Sequence, residues 1–483
     1  MKQSVKKNYI YNLIYQIIII ILPIITAPYL ARTLGAESIG IYSYTISVTT
    51  YFILLGSLGV AMYGQREISY ALNDKDKRSK IFFEILFFRI ITMIISILFF
   101  YIIFVRTGEY AIYYKILLLE LVATCFDISW FFQGLEEFKK TVSRSVIVKI
   151  ISIICIFAFI KNPKDINIYL LIYVLSTLIG NLSLWLYLPK YINKVLFKDL
   201  KIIRHFKPTV ALFVPQIAIQ VYTVLDKTMI GTIITDKSEV GYYEQAQKII
   251  KILLTVITSL GTVMVPRMAS TFISGKKEKL KEYMNKTFNF VWILSIPMIF
   301  GILTVSKYFV PVFFGEGYDK VIILMNIISP IFLLIGLSTV IGTQYFIPTK
   351  RQKEFTISVT IGAVINVILN LLFIRPYASV GASIATVIAE LTVTCIQLYM
   401  LRKEFKFFDI IKMSKNYLLA GLVMFSINLF MINFIIGSVN NIINIAVQSI
   451  VGSIIYISVL FILKDKFLFY ILNQVKLKIK RHN

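Results

Sequence analysis

The sequence predicts an all-α, polytopic membrane protein of about fourteen transmembrane helices, on three observations. Of its 483 residues, 58% are hydrophobic and only 16% charged, and the apolar residues fall in blocks. The blocks are roughly 20 residues long, which crosses a ~30 Å hydrocarbon core at ~1.5 Å rise per residue. The mean hydropathy of +0.78 is too high for a chain that must cover itself with a water-soluble surface. Lastly, the basic residues gather in short segments between the blocks, as retained cytoplasmic loops do.

Taken in order, the spans are expected at 8–30, 39–60, 81–105, 113–133, 145–160, 166–188, 209–234, 248–270, 286–306, 322–347, 355–374, 378–401, 415–436 and 440–463. With the N-terminus inside, about 37 of the 51 Lys and Arg residues fall on the cytoplasmic side and roughly 10 on the other. That asymmetry predicts an even number of passes with both termini cytoplasmic. The opening Met1-Lys2-Gln3-Ser4-Val5-Lys6-Lys7 resembles a signal n-region. The apolar block after it is too long for a cleaved segment and reads as a retained first span. Prolines Pro23, Pro28, Pro215, Pro297 and Pro330 mark places where spans can bend.

The composition also excludes. A net charge of +26 would suit a nucleic-acid binder, but the cations lie in loops rather than on one face of a soluble domain. Cys125, Cys155 and Cys395 sit inside apolar blocks without metal-ligand spacing, and the two histidines, His205 and His482, lie in basic loops. There is no P-loop, no paired-histidine metal motif and no nucleophile elbow, so neither an enzyme nor a bound metal or cofactor is expected.

An internal repeat organises the spans. Ser38-Ile39-Gly40-Ile41-Tyr42 matches Glu239-Val240-Gly241-Tyr242-Tyr243 at an offset of 201, and Arg66 and Ser69 meet Arg267 and Ser270 at the same offset. Six spans of separation preserve orientation, which implies a parallel repeat about an axis along the membrane normal. The expected organisation is a six-helix bundle over 1–189, a basic linker over 190–208, a second bundle over 209–401, and two further helices with a basic tail over 402–483. The linker reads as a topology signal attracted to anionic lipid.

Polar residues inside a membrane are costly and therefore informative. In the seventh span Gln216, Gln220, Thr223 and Lys227 share one helical face, and in the eighth Glu244, Lys248, Lys251, Thr255, Thr258 and Thr262 form a stripe. Asn12 and Gln16 in the first span, Arg89 in the third, and Asn366, Asn370, Thr386 and Glu390 in the eleventh and twelfth add to the set. Isolated Ser, Thr and Asn residues serve equally well as interhelical glue. Two lysines one turn apart do not, and they point to a water-filled cavity. Cations from Arg32, Arg89, Lys227, Lys248 and Lys251 suit phosphate oxygens, while amides, hydroxyls and tyrosines suit sugar hydroxyls. The intramembrane acids Glu120, Asp127, Asp226, Glu244 and Glu390 suit either ion pairs with these cations or a coupling Na⁺ or H⁺.

Beyond this chemistry, the run from Asn12 to Arg32-Thr33-Leu34-Gly35 and on to Gly40-Ile41-Tyr42 resembles Wzx-type O-antigen or capsular repeat-unit flippases. So does Leu225-Asp226-Lys227-Thr228-Met229-Ile230-Gly231, which leads into Val240-Gly241-Tyr242-Tyr243-Glu244-Gln245-Ala246. These flippases belong to the multidrug/oligosaccharidyl-lipid/polysaccharide flippase superfamily. The resemblance implies two six-helix bundles around a cavity, alternating access without ATP, and an undecaprenyl-pyrophosphate-linked oligosaccharide as substrate. The family's cavity cations map by position onto Arg32, Lys227, Lys248 and Lys251. Implied partners are the lipid-linked oligosaccharide, membrane lipids, and the polymerase and glycosyltransferases of the same pathway. The competing readings are a multidrug or cation antiporter of the same fold, a lipid II flippase and a membrane polysaccharide polymerase.

Overall fold

The computed structural model describes residues 5–106, 108–433 and 440–482, with side chains except at 5–20, 212, 214–223, 262, 475 and 477–482. It separates into two compact units, Met1–Gly241 and Tyr242–Asn483. The first holds α1 (Val5–Ser57), α2 (Val60–Tyr70), α3 (Lys75–Phe100), α4 (Ala111–Cys125), α5 (Ser129–Gly134), α6 (Phe138–Phe159), α7 (Ile166–Trp185) and α8 (Phe206–Ile233). The division falls inside α9 (Ser238–Thr258). The second holds α10 (Leu260–Ile273), α11 (Lys277–Phe314), α12 (Asp319–Ile328), α13 (Ile331–Ser338), α14 (Gln352–Leu401), α15 (Phe407–Lys412), α16 (Lys415–Met431), α17 (Asn441–Ile462) and α18 (Lys466–His482).

Length explains the two longest elements. Each runs 50 residues or more, and a straight helix of that length would extend about 75 Å, more than twice a bilayer core. Both therefore break. α1 turns at Gly35 (φ 76°, ψ 169°), a conformation open to a residue without Cβ. α14 turns at Ala378 (φ 50°), two residues after Pro376. Among the described residues, eleven segments are long and apolar enough to cross a membrane. Counting α1 and α14 as two passes each and adding α8 gives fourteen, the number the hydropathy predicts. Pro23, Pro28 and Pro297, by contrast, lie inside continuous helices. Pro330 does interrupt its span, between α12 and α13.

In the first unit, Phe82 of α3 packs with Trp130, Phe131 and Phe132 of α5, all at most 1% exposed. Lipid tails are as apolar as these rings, so close packing rather than exclusion of water holds them. Small residues permit the closest approaches. A Cβ on Gly40 would fall 1.7 Å from the Lys237 carbonyl oxygen, and one on Gly241 would fall 2.0 Å from that of Ala36. Residues 36 and 237, like 40 and 241, are 201 apart. The repeat is thus realised as a reciprocal contact of two small-residue motifs. α8 joins this unit by packing on α1: Gly231 sits against the Tyr44 ring, and the Thr228 hydroxyl lies 2.8 Å from Ser47 Oγ and 3.1 Å from the Tyr51 hydroxyl.

In the second unit α11 is the central post, packed on α12, α13, α16 and α17. Hydroxyls tie helices to neighbouring carbonyls. Ser295 donates to Phe332 O (3.0 Å), Thr394 to Leu334 O (3.0 Å) and Tyr456 to Ile293 O (3.1 Å). These bonds are the interhelical glue expected where no water competes.

Candidate functional site

α9 is amphipathic within the second unit. One face carries Tyr243, Ala246, Gln247 and Ile250, all buried. The Tyr243 hydroxyl lies 3.1 Å from Thr386 Oγ1 of α14 and accepts from Gln247 Nε2 at 2.9 Å. That anchorage fixes the rotation of α9 and turns the stripe outward. Glu244 and Lys248 are partly accessible, with Lys248 Nζ 3.9 Å from Glu244 Oε1, and Lys251 and Thr255 are exposed. A lysine held on an apolar helix without full burial is placed to meet an anion.

In the first unit Lys227 of α8 is half-buried next to Asp226, which is 6% exposed. Its helix is pinned to α1 by the Thr228 and Gly231 contacts. Arg32 is exposed on α1, three residues before the Gly35 break. Asn12, Gln16, Gln216, Gln220, Thr223 and Thr262 lie outside the described side chains.

Arg89 differs from its expected place among accessible cations. It is 3% exposed; Nη1 donates to the Asp127 carbonyl oxygen at 2.6 Å, and Nη2 lies 3.8 Å from Asp127 Oδ2. Asp127 sits in the break between α4 and α5, where helix carbonyls lose their partners. The guanidinium is used to close that break. Asp127 is accordingly an ion-pair acid, as Glu244 is. Glu120, 7% exposed, accepts from the Tyr173 hydroxyl at 2.7 Å. Glu390 is 8% exposed on α14, one turn from Thr386 and one from Thr394, and Asn370 Nδ2 donates to Asn366 Oδ1 at 3.1 Å. No group of three or more His, Cys, Asp or Glu side chains among the described residues could hold a metal ion.

The linker carries a cluster that residue type alone did not reveal. Glu84 of α3, fully buried, accepts from Lys201 N at 2.7 Å, from the Arg204 guanidinium and from His205 Nε2 at 2.9 Å. His205 Nδ1 lies 2.7 Å from the Tyr63 hydroxyl. Burial holds the His205 imidazole below its ordinary pKa, against the opposing pull of Glu84. The linker is therefore docked on α2 and α3, beyond the topology signal attracted to anionic lipid that the sequence suggested. The one available signal was a single histidine in a segment whose other charged residues, Asp199 apart, are lysine and arginine.

A bundle of apolar helices long enough to cross a bilayer defines a multi-pass membrane protein. Residues 5–272 match the family model described as "Polysaccharide biosynthesis protein", and residues 211–372 match the MatE model. The chain belongs to the polysaccharide biosynthesis protein family. It is 26% identical over 408 residues to a protein of Escherichia coli (strain K12) named "Putative O-antigen transporter", covering 83% of this chain and 98% of that protein. It is 29% identical over 143 residues to "Lipid II flippase MurJ" of Bacillus subtilis (strain 168), covering 29% of this chain and 26% of that one. Among solved structures, a lipid II flippase in an inward closed conformation matches with a TM-score of 0.74 at 19% identity, over 94% of this chain and 98% of that one. An inward-facing multidrug transporter of the MATE family matches with a TM-score of 0.62 at 13% identity, over 82% and 95%. These likenesses show the fold, and the relatives are transporters and flippases rather than catalysts.

Proposed function

We propose that this protein flips undecaprenyl-pyrophosphate-linked oligosaccharide repeat units from the inner to the outer leaflet, for capsule or another surface polysaccharide. The single observation that carries the reading is the α9 stripe, with Lys248 and Lys251 turned away from a buried, hydrogen-bonded face. Cations in this setting bind pyrophosphate oxygens by charge-assisted hydrogen bonds, while hydroxyls and amides meet the sugar. Arg32 and Lys227 of the first unit are cations of the same phosphate-binding kind. The lipid tail stays in the bilayer as the head group crosses by alternating access, with no ATP hydrolysis. Glycosyltransferases of the pathway would supply the substrate and a polymerase would consume the product. The membrane is the bacterial cytoplasmic membrane, with both termini inside, as the basic loops indicate.

Coupling to Na⁺ or H⁺ is assigned to Glu390 and Asp226, whose carboxylates are buried within spans. Coverage of 98% of the O-antigen transporter relative, against 26% of the lipid II flippase, favours repeat units over lipid II. The lysines disfavour cationic drugs as cargo.

The test is translocation of a lipid-pyrophosphate-linked sugar in liposomes at matched protein levels. Lys248→Ala and Lys251→Ala are each expected to reduce the rate about tenfold, the size of a lost hydrogen bond to a charged group. Unchanged rates in both, and in Lys227→Ala, would make the stripe a packing feature. Exchange of organic cations for Na⁺ or H⁺, with no movement of sugar, would replace this reading with the drug antiporter.

A further inference from the structure

The repeat leaves one pair of residues that transport through the bilayer does not use: Arg66 with Ser69, and their counterparts Arg267 with Ser270. Each pair lines a cavity at the end of its helix, on the side the basic loops mark as cytoplasmic. The two cavities have diverged. In the first unit Arg66 already bonds Glu67, through Nε at 3.3 Å and Nη2 at 3.1 Å, and the other polar neighbours are Gln65, Gln133 and Glu136. In the second unit Lys276 and Lys279 line the cavity together with Arg267, and no acid does.

Local structure explains how three cations converge. α10 ends in a left-handed turn at Gly275 (φ 68°), with Gly275 N bonded to Phe272 O at 3.0 Å and Lys276 N to Thr271 O at 3.3 Å. The reversal brings Arg267 and Ser270 of α10 opposite Lys276, Lys279 and Tyr283, around about 220 Å³ of space. Among the described residues neither Arg267 nor Lys276 makes an ion pair, and the nearby Glu282 is taken by Lys286. Thr271 supplies a second, independent sign. It is 7% exposed and lines the cavity, yet its hydroxyl makes no hydrogen bond within the described protein. The hydroxyl opens into the cavity beside three like charges, free to donate to an acceptor bound there.

We propose that this cavity binds a phosphate ester at the cytoplasmic membrane surface, as a site separate from the α9 stripe. Two guanidinium or ammonium groups can each take a phosphate oxygen while the Thr271 hydroxyl donates to a third. The chemistry is shared by free pyrophosphate and by the head group of an anionic phospholipid, and a basic pocket between helices on the inner face suits either.

The experiment isolates the site from the stripe by working in the full-length Lys248→Ala/Lys251→Ala protein. Binding is read in two arms: titration with inorganic pyrophosphate, and melting temperature in nanodiscs with and without phosphatidylglycerol. A response in either arm that falls at least about tenfold in affinity, or disappears, in Arg267→Gln/Lys276→Gln supports the site. Arg66→Gln is expected to retain the response. The arm that responds names the source, soluble phosphate or lipid. Thr271→Val removes only the hydroxyl and guards against misfolding of the double variant; it should weaken the same arm. No response in either arm, or equal responses in the parent and both variants, overturns the proposal.

Discussion

The charges on α3 of the first unit and on α9 of the second differ in how far the protein covers them. Arg89 and Glu84 lie deep in α3 at 3% and 0% exposure, and each is held by groups of the protein. Lys248 and Lys251 of α9 sit on a helix equally apolar on its other face, yet remain accessible. All four would be costly against lipid. The difference teaches that a charge on an apolar helix is enclosed where a broken helix or a docked loop needs its hydrogen bonds, and stays accessible where neighbouring residues leave it uncovered. Position along a helix does not separate the two cases; the depth of burial does.

The sharpest way to break the comparison is Arg89→Met. It leaves the Asp127 carbonyl and its partly exposed carboxylate without their cation, and losing a hydrogen bond from a charged group costs about 1.5–3 kcal/mol. A large drop in melting temperature is expected. A variant that melts like wild type and fails only in transport would move Arg89 into the ligand set. Glu84→Gln comes next, at about 1–3 kcal/mol, because Arg204 and His205 lose a charged acceptor. Limited proteolysis should then cut faster within 190–205, where the docked segment is released.

Lys251→Ala is the contrasting case. Its effect on stability is expected within about 0.5 kcal/mol, as for an accessible substitution, while translocation falls about tenfold. Thermal melting and the liposome assay on the same preparation decide it. An equal loss in both would abolish the distinction between the units.

The smallest effect is on pH. Burial lowers the His205 pKa in the folded protein from its ordinary 6.5, so the unfolded chain binds the proton more readily. Stability is therefore highest above about pH 6.5 and declines as pH falls below that value, levelling off below the folded pKa. Glu84, Arg204, Tyr63 and Glu67 all act on this group. Replacing His205 with Gln should flatten the slope of melting temperature between pH 6.5 and 5. An unchanged slope would place the proton elsewhere.

Hydropathy and charge alone determined the all-helical membrane class, the fourteen passes and the stripe on α9, because each depends only on residue type at a regular spacing. The reciprocal contact of Gly40 and Gly241 was foreshadowed in the same way, by a repeat of 201 residues that the packing then used. Tertiary structure decided the rest. Whether Arg89 faces water or Asp127 depends on where α4 breaks, which no periodicity in α3 records. The docking of the linker depends on α3 residues more than a hundred positions away: Glu84 holds Lys201, Arg204 and His205, and Asp76, Arg78 and Ser79 hold Tyr191 and Asn193. That α8 packs on α1 within the first unit rests on Tyr44 and Ser47 meeting Gly231 and Thr228. A helix's sequence states which of its faces are polar; only the packing of its neighbours decides which of those faces stays open to a ligand.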